Sequence, residues 1–514
     1  MSVAQSTASP GGSPAAIDAA WETVIGLEVH VQLRTRTKMF CRCENRFGAE
    51  PNELVCPVCL GYPGTLPVTN QHAVDLAIRL ALALGCDVRR RSIFARKNYF
   101  YPDLPKGYQI SQYDQPLAEG GSVPLPSGRK VRLHRIHLEE DAGKLLHEVP
   151  GGGPLPGRSL VDFNRCGVPL VEIVTEPEIR SPQDAQAYLQ TLHQVLLYTG
   201  ASDGNMEEGS LRCDANLSLR PTGSCTLGTK TEVKNLNSFR HVAKALEYER
   251  ERQLHILTAG GRVEQETRSF EPASGATRSL RSKEEAHDYR YFPEPDLATL
   301  VLTKRRVDRQ AELLPELPWV KSARFRDVYG LRDKEAALLA GSVPLATYYE
   351  RAVAAHPSGA RSIANWVMTE ILRELKQRNV QLQDPGSQEP GHAEDVIAPE
   401  RLAAIVALVD SGELSATAAK DVLAEAWNTT ETPDEIVDRL GLRQVRDDDQ
   451  LEAWADNAIA ANTKAVTQYR GGRKQALGYL VGQVMKASRG SAEPRAAQEI
   501  LRRKLTGTGV TPNP

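Results

Sequence analysis

Short runs of alternating apolar and polar residues predict β-strands in the first three-fifths of the chain. In residues 23–33 the apolar positions share one strand face: Ile25, Leu27, Val29, Val31 and Leu33. The other face carries a carboxylate, an imidazole and an amide: Glu28, His30 and Gln32. We therefore expect this strand to pack its apolar face against a core and to leave the carboxylate, the imidazole and the amide on its opposite face.

Two further runs repeat this division. Residues 211–220 place five apolar side chains on one face: Leu211, Cys213, Ala215, Leu217 and Leu219. Their polar face carries Arg212, Asp214, Asn216 and Arg220. The shorter run 230–234 sets three charged side chains on a common side: Lys230, Glu232 and Lys234. We expect these segments to belong to a sheet with a polar face.

Helices are expected between the strands. Ser181, followed by a proline, suits the N-cap and first turn of a helix that runs to Tyr198 and ends at Gly200. A longer helix is expected to begin at Ser238 and to end before Gly260.

Beyond about residue 300 a helical period replaces the alternation, as in residues 360–376 and 400–411. We predict an α+β chain: a β-sheet domain over 21–300, an all-α helical domain over 301–396 and an α-helical tail domain over 397–514. Residues 1–20 form a flexible leader rich in Ser, Ala, Pro and Gly. Loops are expected at 151–154 and 383–391.

Net charge identifies no partner, because 63 basic and 65 acidic side chains leave a formal charge of −2. Charge does segregate within the tail: residues 394–462 hold sixteen acidic and five basic side chains. Residues 463–514 hold ten basic and two acidic ones. The final block fits either a phosphate backbone or a solvated helical face that balances the acidic segment.

The chain has no apolar run long enough to cross a bilayer, and its leader lacks the apolar region of a secretion signal. We therefore expect a cytoplasmic protein without a membrane partner, whose eight cysteines are thiols or metal ligands.

Four cysteines cluster at Cys41, Cys43, Cys56 and Cys59. Four thiolates on two short knuckles satisfy tetrahedral zinc and leave no open position, so the predicted site is structural. Cys41 and Cys43 are separated by one residue, where two residues are common in zinc knuckles. The alternative to a zinc site is a group of four buried thiols without metal. Cys86, Cys166, Cys213 and Cys225 are scattered and are expected to serve packing.

The polar face of the predicted sheet gathers carboxylates and one imidazole. Besides Glu28 and His30 the candidates are Glu139, Glu140, Glu172, Asp214 and Glu232. Glu172 is notable because it lies inside an apolar run, where a carboxylate needs a cation or another partner. Hard oxygen ligands around a polarised phosphate are what magnesium–nucleotide chemistry requires. A hydrated face with ordinary ion pairs is the alternative for each single residue.

Basic candidates for phosphate neutralisation accompany these carboxylates: Arg212, Lys230, Lys234 and Arg290. The chain has no phosphate-binding loop of the Gly-x-x-x-x-Gly-Lys type and no Gly-x-Gly-x-x-Gly after a strand. It also has no convincing Ser-Lys or Cys-His nucleophile for splitting an amide, so another chain must supply any ammonia used here.

Residues 97–112 hold three adjacent aromatics, Tyr99, Phe100 and Tyr101, among Lys, Asn and Gln side chains. Aromatics in such a setting can stack on the unpaired bases of an RNA end. By composition, a proline-punctuated loop whose aromatics pack in the core is the favoured interpretation.

Several long blocks, in the same order, resemble the GatB family, the B subunits of aspartyl/glutamyl-tRNA amidotransferases. They are residues 25–30, 97–112, 139–144, 170–177, 206–220, 232–239 and 287–297, and residues 478–486 resemble the family's YqeY-like tail. In this chain Tyr289 to Pro293 leads directly into the helical region, which favours the B type over the related archaeal E type.

The resemblance implies a glutamine synthetase-like cradle with its active site on a β-sheet, followed by a helical domain and a tRNA-binding tail. It implies ATP and Mg²⁺ as cofactors, with magnesium ligands at Glu28, His30, Glu172 and either Glu139 or Glu140, and with Asp214 and Glu232 in the same pocket. It further implies structural Zn²⁺, and a heterotrimer in which an amidase is the A subunit and a small protein is the C subunit.

The reaction implied by the resemblance converts misacylated Glu-tRNA(Gln), Asp-tRNA(Asn) or both to the amide forms. ATP would turn the side-chain carboxylate into an acyl phosphate, which ammonia from the amidase would then displace. The choice between the two tRNAs is not encoded in this chain alone. A noncatalytic tRNA-binding scaffold is the alternative, and acidic polar faces argue against it because carboxylates repel RNA.

Overall fold

The computed structural model describes residues 19–146, 153, 155, 157–282, 288–383, 396–444, 448–488 and 492–506. The predicted leader up to residue 18, most of the loop at 151–154 and most of the loop at 383–391 lie outside these residues. The chain forms two compact units, Met1–Leu317 and Pro318–Pro514. The three domain limits drawn from the sequence remain predictions.

The first unit is built on a ten-stranded mixed sheet. Its long central strands are β1 (Trp21–Gln32), β8 (Lys130–Glu140), β11 (Pro169–Thr175) and β12 (Leu211–Pro221). On one side β12 continues to β13 (Thr231–Lys234), β14 (Glu266–Glu271) and β15 (Ala276–Ser282). On the other side β8 pairs with β6 (Ala118–Glu119) and β7 (Ser122–Pro124), and β6 pairs with β2 (Asp87–Val88).

The remaining strands form three small sheets beside this one. They are β3 (Arg91–Ser92) with β17 (Leu300–Val301), β4 (Ala95–Asn98) with β5 (Tyr108–Ser111) and β16 (Phe292–Pro293), and β9 (Lys144–Leu146) with β10 (Leu160–Asp162).

The predicted alternation of β1 is confirmed. Ile25, Val29 and Val31 are 0% exposed, and Leu27 is 1% exposed. The apolar side chains of β12 are buried in the same way. Burying one face of each strand is what fixes the register, because a shift of one residue would turn the polar set into the core.

Three helices cover this apolar face: α1 (Gln71–Ala83), α2 (Pro182–Thr199) and α3 (Phe239–Thr258). The cap residues predicted for α2 and α3 are confirmed. Ser181 accepts a hydrogen bond from the Asp184 N–H, and Gly200 ends α2 with a φ of 66°. Ser238 caps α3 through the His241 N–H. Helix α4 (Lys304–Glu312) packs on α1 through an Arg306–Asp75 ion pair of 2.7 Å.

Strand β8 contains an irregularity that matters for the site. Val174 of β11 pairs with Arg135, but the next residue, Thr175, pairs with Leu133. His134 is therefore an extra residue on β8, and the regular ladder resumes from Arg135 to Glu140.

The second unit is helical. Its first helices are α5 (Pro318–Tyr329), α6 (Asp333–Leu339), α7 (Val343–Ala355), α8 (Ala360–Trp366) and α9 (Leu372–Arg378), with a π-helical turn at Val367–Ile371 between the last two. The predicted helix over 360–376 therefore exists, interrupted by this turn. Helices α10 (Pro399–Asp410), α11 (Ala416–Ala426) and α12 (Pro433–Leu440) follow.

Residues 397–442 pack in the same hydrophobic core as residues 325–382. A separate core unites the last helices, α13 (Asp448–Ala461), α14 (Thr463–Arg470), α15 (Gln475–Ala487) and α16 (Pro494–Thr506). Among the described residues, no helix is both long and apolar enough to span a membrane.

Candidate active site and metal centre

Four neighbouring strands bring polar side chains into one row across the sheet. His30 on β1 lies opposite Arg212 on β12 and opposite Glu172 on β11, and Glu172 in turn lies opposite His137 on β8. Because residues directly opposite on paired strands lie on the same sheet face, the row gathers on one surface. The polar faces predicted for β1 and β12 therefore meet.

His30, Glu139 and Glu172 form the centre of this surface. The Nε2 atom of His30 lies 3.3 Å from Glu139 Oε1 and 3.6 Å from Glu172 Oε2. The three side chains each offer a ligand atom within 4.8 Å of the others. Glu139 is 1% exposed and Glu172 is 8% exposed. Two buried carboxylates this close need a shared cation, so the donor set fits a hard divalent ion.

Two imidazoles, those of His30 and His137, face these carboxylates. Burial alone would lower the pKa of His30, but its hydrogen bond to Glu139 and the charge of Glu172 raise it to about 9. Burial would likewise raise the pKa of Glu172, yet the charge of His137 and then that of His30 lower it to about 2. The centre is therefore built for negative carboxylates facing positive charge.

Glu28, Asp214, Glu232 and Lys234 form the adjoining part of the surface. Glu28 lies opposite Asp214 on β12 and accepts a hydrogen bond of 3.1 Å from Asn216. Burial, followed by the charge of Glu172, raises the pKa of Glu28. The Lys234 ammonium contacts Asp214 at 2.6 Å and Glu232 at 3.2 Å. The structure thus brings together five of the predicted carboxylates: Glu28, Glu139, Glu172, Asp214 and Glu232.

An open cavity of about 980 Å³ adjoins Glu28. Most of its wall is apolar or neutral and includes Val174, Pro177 and Leu227. Lys230, Glu28 and Glu176 supply charged groups in its lining. An apolar slot with charge in its wall is the kind of space a nucleotide base and sugar require.

The structure separates Glu140 from this group. Successive residues on a strand point to opposite faces, so Glu139 and Glu140 diverge although both are buried. Glu140 accepts a hydrogen bond of 3.0 Å from the Ile110 N–H and forms an ion pair with Lys106. Of the two candidates, only Glu139 contacts His30.

Arg290 does not join the centre either. It is exposed, and its contacts in the described part of the chain are backbone ones with Asp288 and Asn98. Among the basic candidates, Lys234 and Arg212 touch carboxylates of the site, and Lys230 lines the cavity.

The candidates singled out from the sequence do not include His137, whereas Asp141, from the same acidic run as Glu139 and Glu140, does join this cluster. His137 is buried, and its Nε2 atom lies 3.0 Å from Glu172 Oε2. Asp141 is 3% exposed and accepts hydrogen bonds from Arg212 at 2.8 Å and from Gln32 at 2.9 Å. Asp141 therefore fixes the Arg212 guanidinium beside His30. The signal for His137 was its position two residues before Glu139, on the same strand face.

The four clustered cysteines also converge, with their sulfur atoms within 4.8 Å of one another. The Cys56 and Cys59 sulfur atoms are 3.9 Å apart. The hydrogen bond from Cys41, with help from the nearby Lys38 charge, lowers the pKa of Cys59 to about 5 against the opposing effect of burial. Four sulfur donors in one place fit tetrahedral zinc and leave no protein position open.

Two expectations about packing are wrong. Phe100 is 87% exposed and Tyr101 is 58% exposed, so they do not pack in the core. The Phe100 ring lies close to the backbone of Gly107 instead. A Cβ atom added at Gly107 would be only 3.0 Å from that ring. Cys225 is exposed, whereas Cys86, Cys166 and Cys213 are buried as expected.

Comparison with known proteins gives long matches. The family model of the GatB/GatE catalytic domain matches residues 23–308, and that of the GatB domain matches residues 347–505. A relative from Geobacter sulfurreducens, named as the B subunit of aspartyl/glutamyl-tRNA(Asn/Gln) amidotransferase, is 50% identical over 95% of this chain and 100% of its own. Relatives with the same name from Carboxydothermus hydrogenoformans and Myxococcus xanthus are 50% and 48% identical over 94% of this chain, and over 99% and 98% of their own lengths.

Proposed function

The chain belongs to the GatB family of aspartyl/glutamyl-tRNA amidotransferase B subunits, and on that premise we propose that it carries the ATP-dependent activation step. Its substrate is a tRNA misacylated with glutamate or aspartate, and its product is the corresponding Gln-tRNA(Gln) or Asn-tRNA(Asn). Within this ligase it uses ammonia that a partner protein releases from glutamine.

The observation that carries the activation step is the convergence of His30, Glu139 and Glu172 beside the cavity that Glu28 and Lys230 line. A pure RNA-binding surface has no use for buried carboxylates, because they repel phosphate. A phosphoryl-transfer site does need them, since they hold the divalent ion that neutralises the transferring group.

We assign the residues as follows. Glu28, His30, Glu139 and Glu172 would hold magnesium, which when bound polarises the γ-phosphate of ATP. The cavity takes the base and sugar of ATP, with Lys230 beside the phosphates. Arg212 is held by Asp141 in the row next to His30, where its charge meets the phosphoryl group as it transfers. Lys234 holds Asp214 and Glu232 at the rim of the site.

The chemistry requires the activated intermediate to be shielded. The substrate's side-chain carboxylate attacks the γ-phosphorus, ADP leaves, and an acyl phosphate forms. Ammonia then attacks the acyl carbon and inorganic phosphate leaves with the bond electrons and the proton that the nitrogen loses, which gives the amide. Water would hydrolyse the same acyl phosphate, so delivery of ammonia through a protein interior is expected.

We also propose a fold for the catalytic part of the chain and a structural metal site within it. A sheet with helices on its apolar face and carboxylates on its other face supports a cradle similar to that of glutamine synthetase, an enzyme that activates a carboxylate with ATP in the same way. The sulfur cluster at Cys41, Cys43, Cys56 and Cys59 supports one structural zinc ion per chain.

The proposed partners are an amidase as the A subunit, a small protein as the C subunit, and the misacylated tRNA in the cytoplasm. The exposed basic residues of the last four helices and of the turns between them support tRNA contact by the tail. They include Lys464, Arg473, Lys474 and Lys486.

The proposal is tested by amidation with the reconstituted heterotrimer on Glu-tRNA(Gln) and on Asp-tRNA(Asn), with and without ATP. We expect amide formation only with ATP, and ATP hydrolysis that depends on the misacylated tRNA. Binding of tRNA without any stimulated ATP hydrolysis would instead identify the chain as a noncatalytic scaffold.

A further inference from the structure

Lys38 is a buried lysine beside the four-cysteine cluster. It is 0% exposed, and its ammonium donates a hydrogen bond of 2.6 Å to the Leu54 carbonyl. The same nitrogen lies 3.5 Å from the Phe163 carbonyl and 3.8 Å from the Cys59 sulfur. Within the described ranges of the chain, no carboxylate forms an ion pair with it.

Such a position is unusual for a lysine. A charged ammonium in a protein interior is strongly disfavoured unless an anion accompanies it. Two other largely buried lysines follow this rule, since Lys106 pairs with Glu140 and Lys321 pairs with Glu350. The anion that accompanies Lys38 must therefore be sought among its sulfur neighbours.

A zinc ion held by four thiolates supplies that anion. Four thiolates outnumber the two positive charges of zinc, so the centre carries two net negative charges. Cys59 is itself buried, at 3% exposure, so water does little to stabilise the charge on its sulfur. A fixed ammonium 3.8 Å away does so directly.

We propose that Lys38 is a fifth component of the metal centre. Its ammonium donates a hydrogen bond to the Cys59 thiolate and offsets part of the centre's negative charge, which keeps zinc bound. This inference rests on the proposed zinc site. Groups around a metal that orient and neutralise its ligands commonly change metal affinity by about 10–100-fold when they are removed.

The same side chain also joins the metal centre to the sheet. Leu54 belongs to the cysteine-bearing loop, whereas Phe163 belongs to the turn that leads into β11 and Glu172. Gly167 allows this close approach: its φ is +85°, and a Cβ there would lie 3.3 Å from Cys59 Cβ and 3.6 Å from Lys38 Cδ. Lys38 therefore contacts both sides of the junction.

The test uses the full chain purified within its heterotrimer. Lys38→Met removes the charge and keeps most of the length, Lys38→Arg keeps the charge, and Lys321→Met is a control at a buried lysine far along the sequence. Zinc content is measured by mass spectrometry, and zinc release is followed with a coloured chelator. We expect Lys38→Met to release zinc about 10–100-fold faster than the wild type. Lys38→Arg should release zinc more slowly than Lys38→Met, and Lys321→Met should match the wild type.

Cobalt substitution separates a charge effect from a loss of packing. Removing a positive charge beside a thiolate raises the energy of its electrons, so the sulfur-to-cobalt charge-transfer band should move to longer wavelength in Lys38→Met and not in Lys38→Arg. If Lys38→Met does not fold, zinc release and the cobalt charge-transfer band are measured on Lys38→Gln instead.

The outcomes are distinct. A wild-type protein without zinc would overturn both the zinc site and the role of Lys38. A wild type that holds zinc, together with wild-type release and an unshifted band in the neutral variant, would overturn the role of Lys38 alone.

Discussion

At the scale of single residues, Glu172 occupies the position on which the centre depends most. It lies on β11 between the imidazoles of His30 and His137, each within 3.6 Å of its Oε2 atom. Its negative charge attracts the His30 and His137 imidazoles and, in the proposed function, the magnesium ion. Removing that charge while keeping the shape isolates its contribution.

We predict that Glu172→Gln lowers ATP-dependent amidation by the heterotrimer by ~10²–10³-fold, the usual loss for one preorganised electrostatic contact. The amidase partner's glutaminase activity should be largely retained, and so should tRNA binding. Initial rates with each misacylated tRNA measure the effect, and Glu119→Gln, at the exposed Arg89 pair, is the matched control. Normal amidation by Glu172→Gln would remove this residue from the site.

Asp141 allows a second test at this scale, because it acts through Arg212. We predict that Asp141→Asn lowers kcat/KM for ATP by up to ~10²-fold, since a misplaced guanidinium no longer meets the phosphoryl group. Arg212→Gln should cause a similar loss, and the double variant should lose little more than either single one. Losses that multiply in the double variant would show that the two residues act independently.

At the scale of elements, a buried polar cluster joins α3 to the sheet edge formed by β13, β14 and β15. Glu249 on α3 is 0% exposed and accepts hydrogen bonds from Thr231, Gln253 and Arg252. Arg268 on β14 lies 3.3 Å from the same carboxylate. The cluster replaces apolar packing at the place where the parallel pair β13–β14 interrupts the antiparallel order.

We predict that Glu249→Gln destabilises this edge by about 1–3 kcal/mol at pH 7, because the half-buried Arg252 and Arg268 lose one of their two anions and keep only Glu266. Hydrogen exchange of peptides from β13 to β15 measures the local opening. Glu271→Gln, at an exposed pair with Arg278, is the control and should cost under about 1 kcal/mol.

The same variant has a defined pH dependence. Burial would raise the pKa of Glu249, but its hydrogen bonds, first that from Arg252, hold it below the usual 4.5. A carboxyl whose folded-state pKa is lowered stabilises the fold above pH 4.5 and loses that contribution as pH falls through the lowered value. The difference between wild type and Glu249→Gln should therefore shrink in acid. A difference that stays constant below pH 4.5 would contradict this assignment.

The long strands were predictable from sequence, because burying one face imposes a period of two on β1 and β12. Strands of two to four residues, such as β2, β3 and β6, are too short to show any period. The choice between Glu139 and Glu140 was also not predictable, because which of two adjacent acids faces His30 depends on pairing with β11, a strand distant in sequence. Lys38 lies in an irregular loop, where sequence gives no sign of burial.

At the scale of the whole chain, the tail can be cut more precisely than the sequence allowed. A cut at residue 397 would divide the core in which Ile397 accepts a hydrogen bond of 3.1 Å from Tyr348. Residues 448–506 have their own core, so a cut after residue 447 leaves the preceding core complete.

We predict that removing residues 448–514 weakens tRNA binding by the heterotrimer far more than it slows amidation of bound tRNA. Replacing the exposed Lys464, Arg473 and Lys474 with Ala should reduce the salt dependence of binding by about 0.7–0.9 in slope for each lost phosphate contact. Filter binding at several salt concentrations measures both effects. Arg503→Ala, at a basic residue already paired with Glu452, is the control. Equal slopes for the triple variant and the wild type would exclude the tail from the RNA interface.

The extra residue at His134 has an evolutionary consequence. Glu139 and Glu140 are neighbours in the chain, yet their side chains lie on opposite faces of the sheet. Losing or gaining one codon between residues 135 and 140 would therefore shift the register by one and turn each of these side chains to the other face. A bulge can accommodate one residue more or fewer in the part of the strand before it, without changing the register of the residues after it. Codon insertions and deletions in β8 should therefore accumulate in descendants of this gene before His134, and selection should remove them after it.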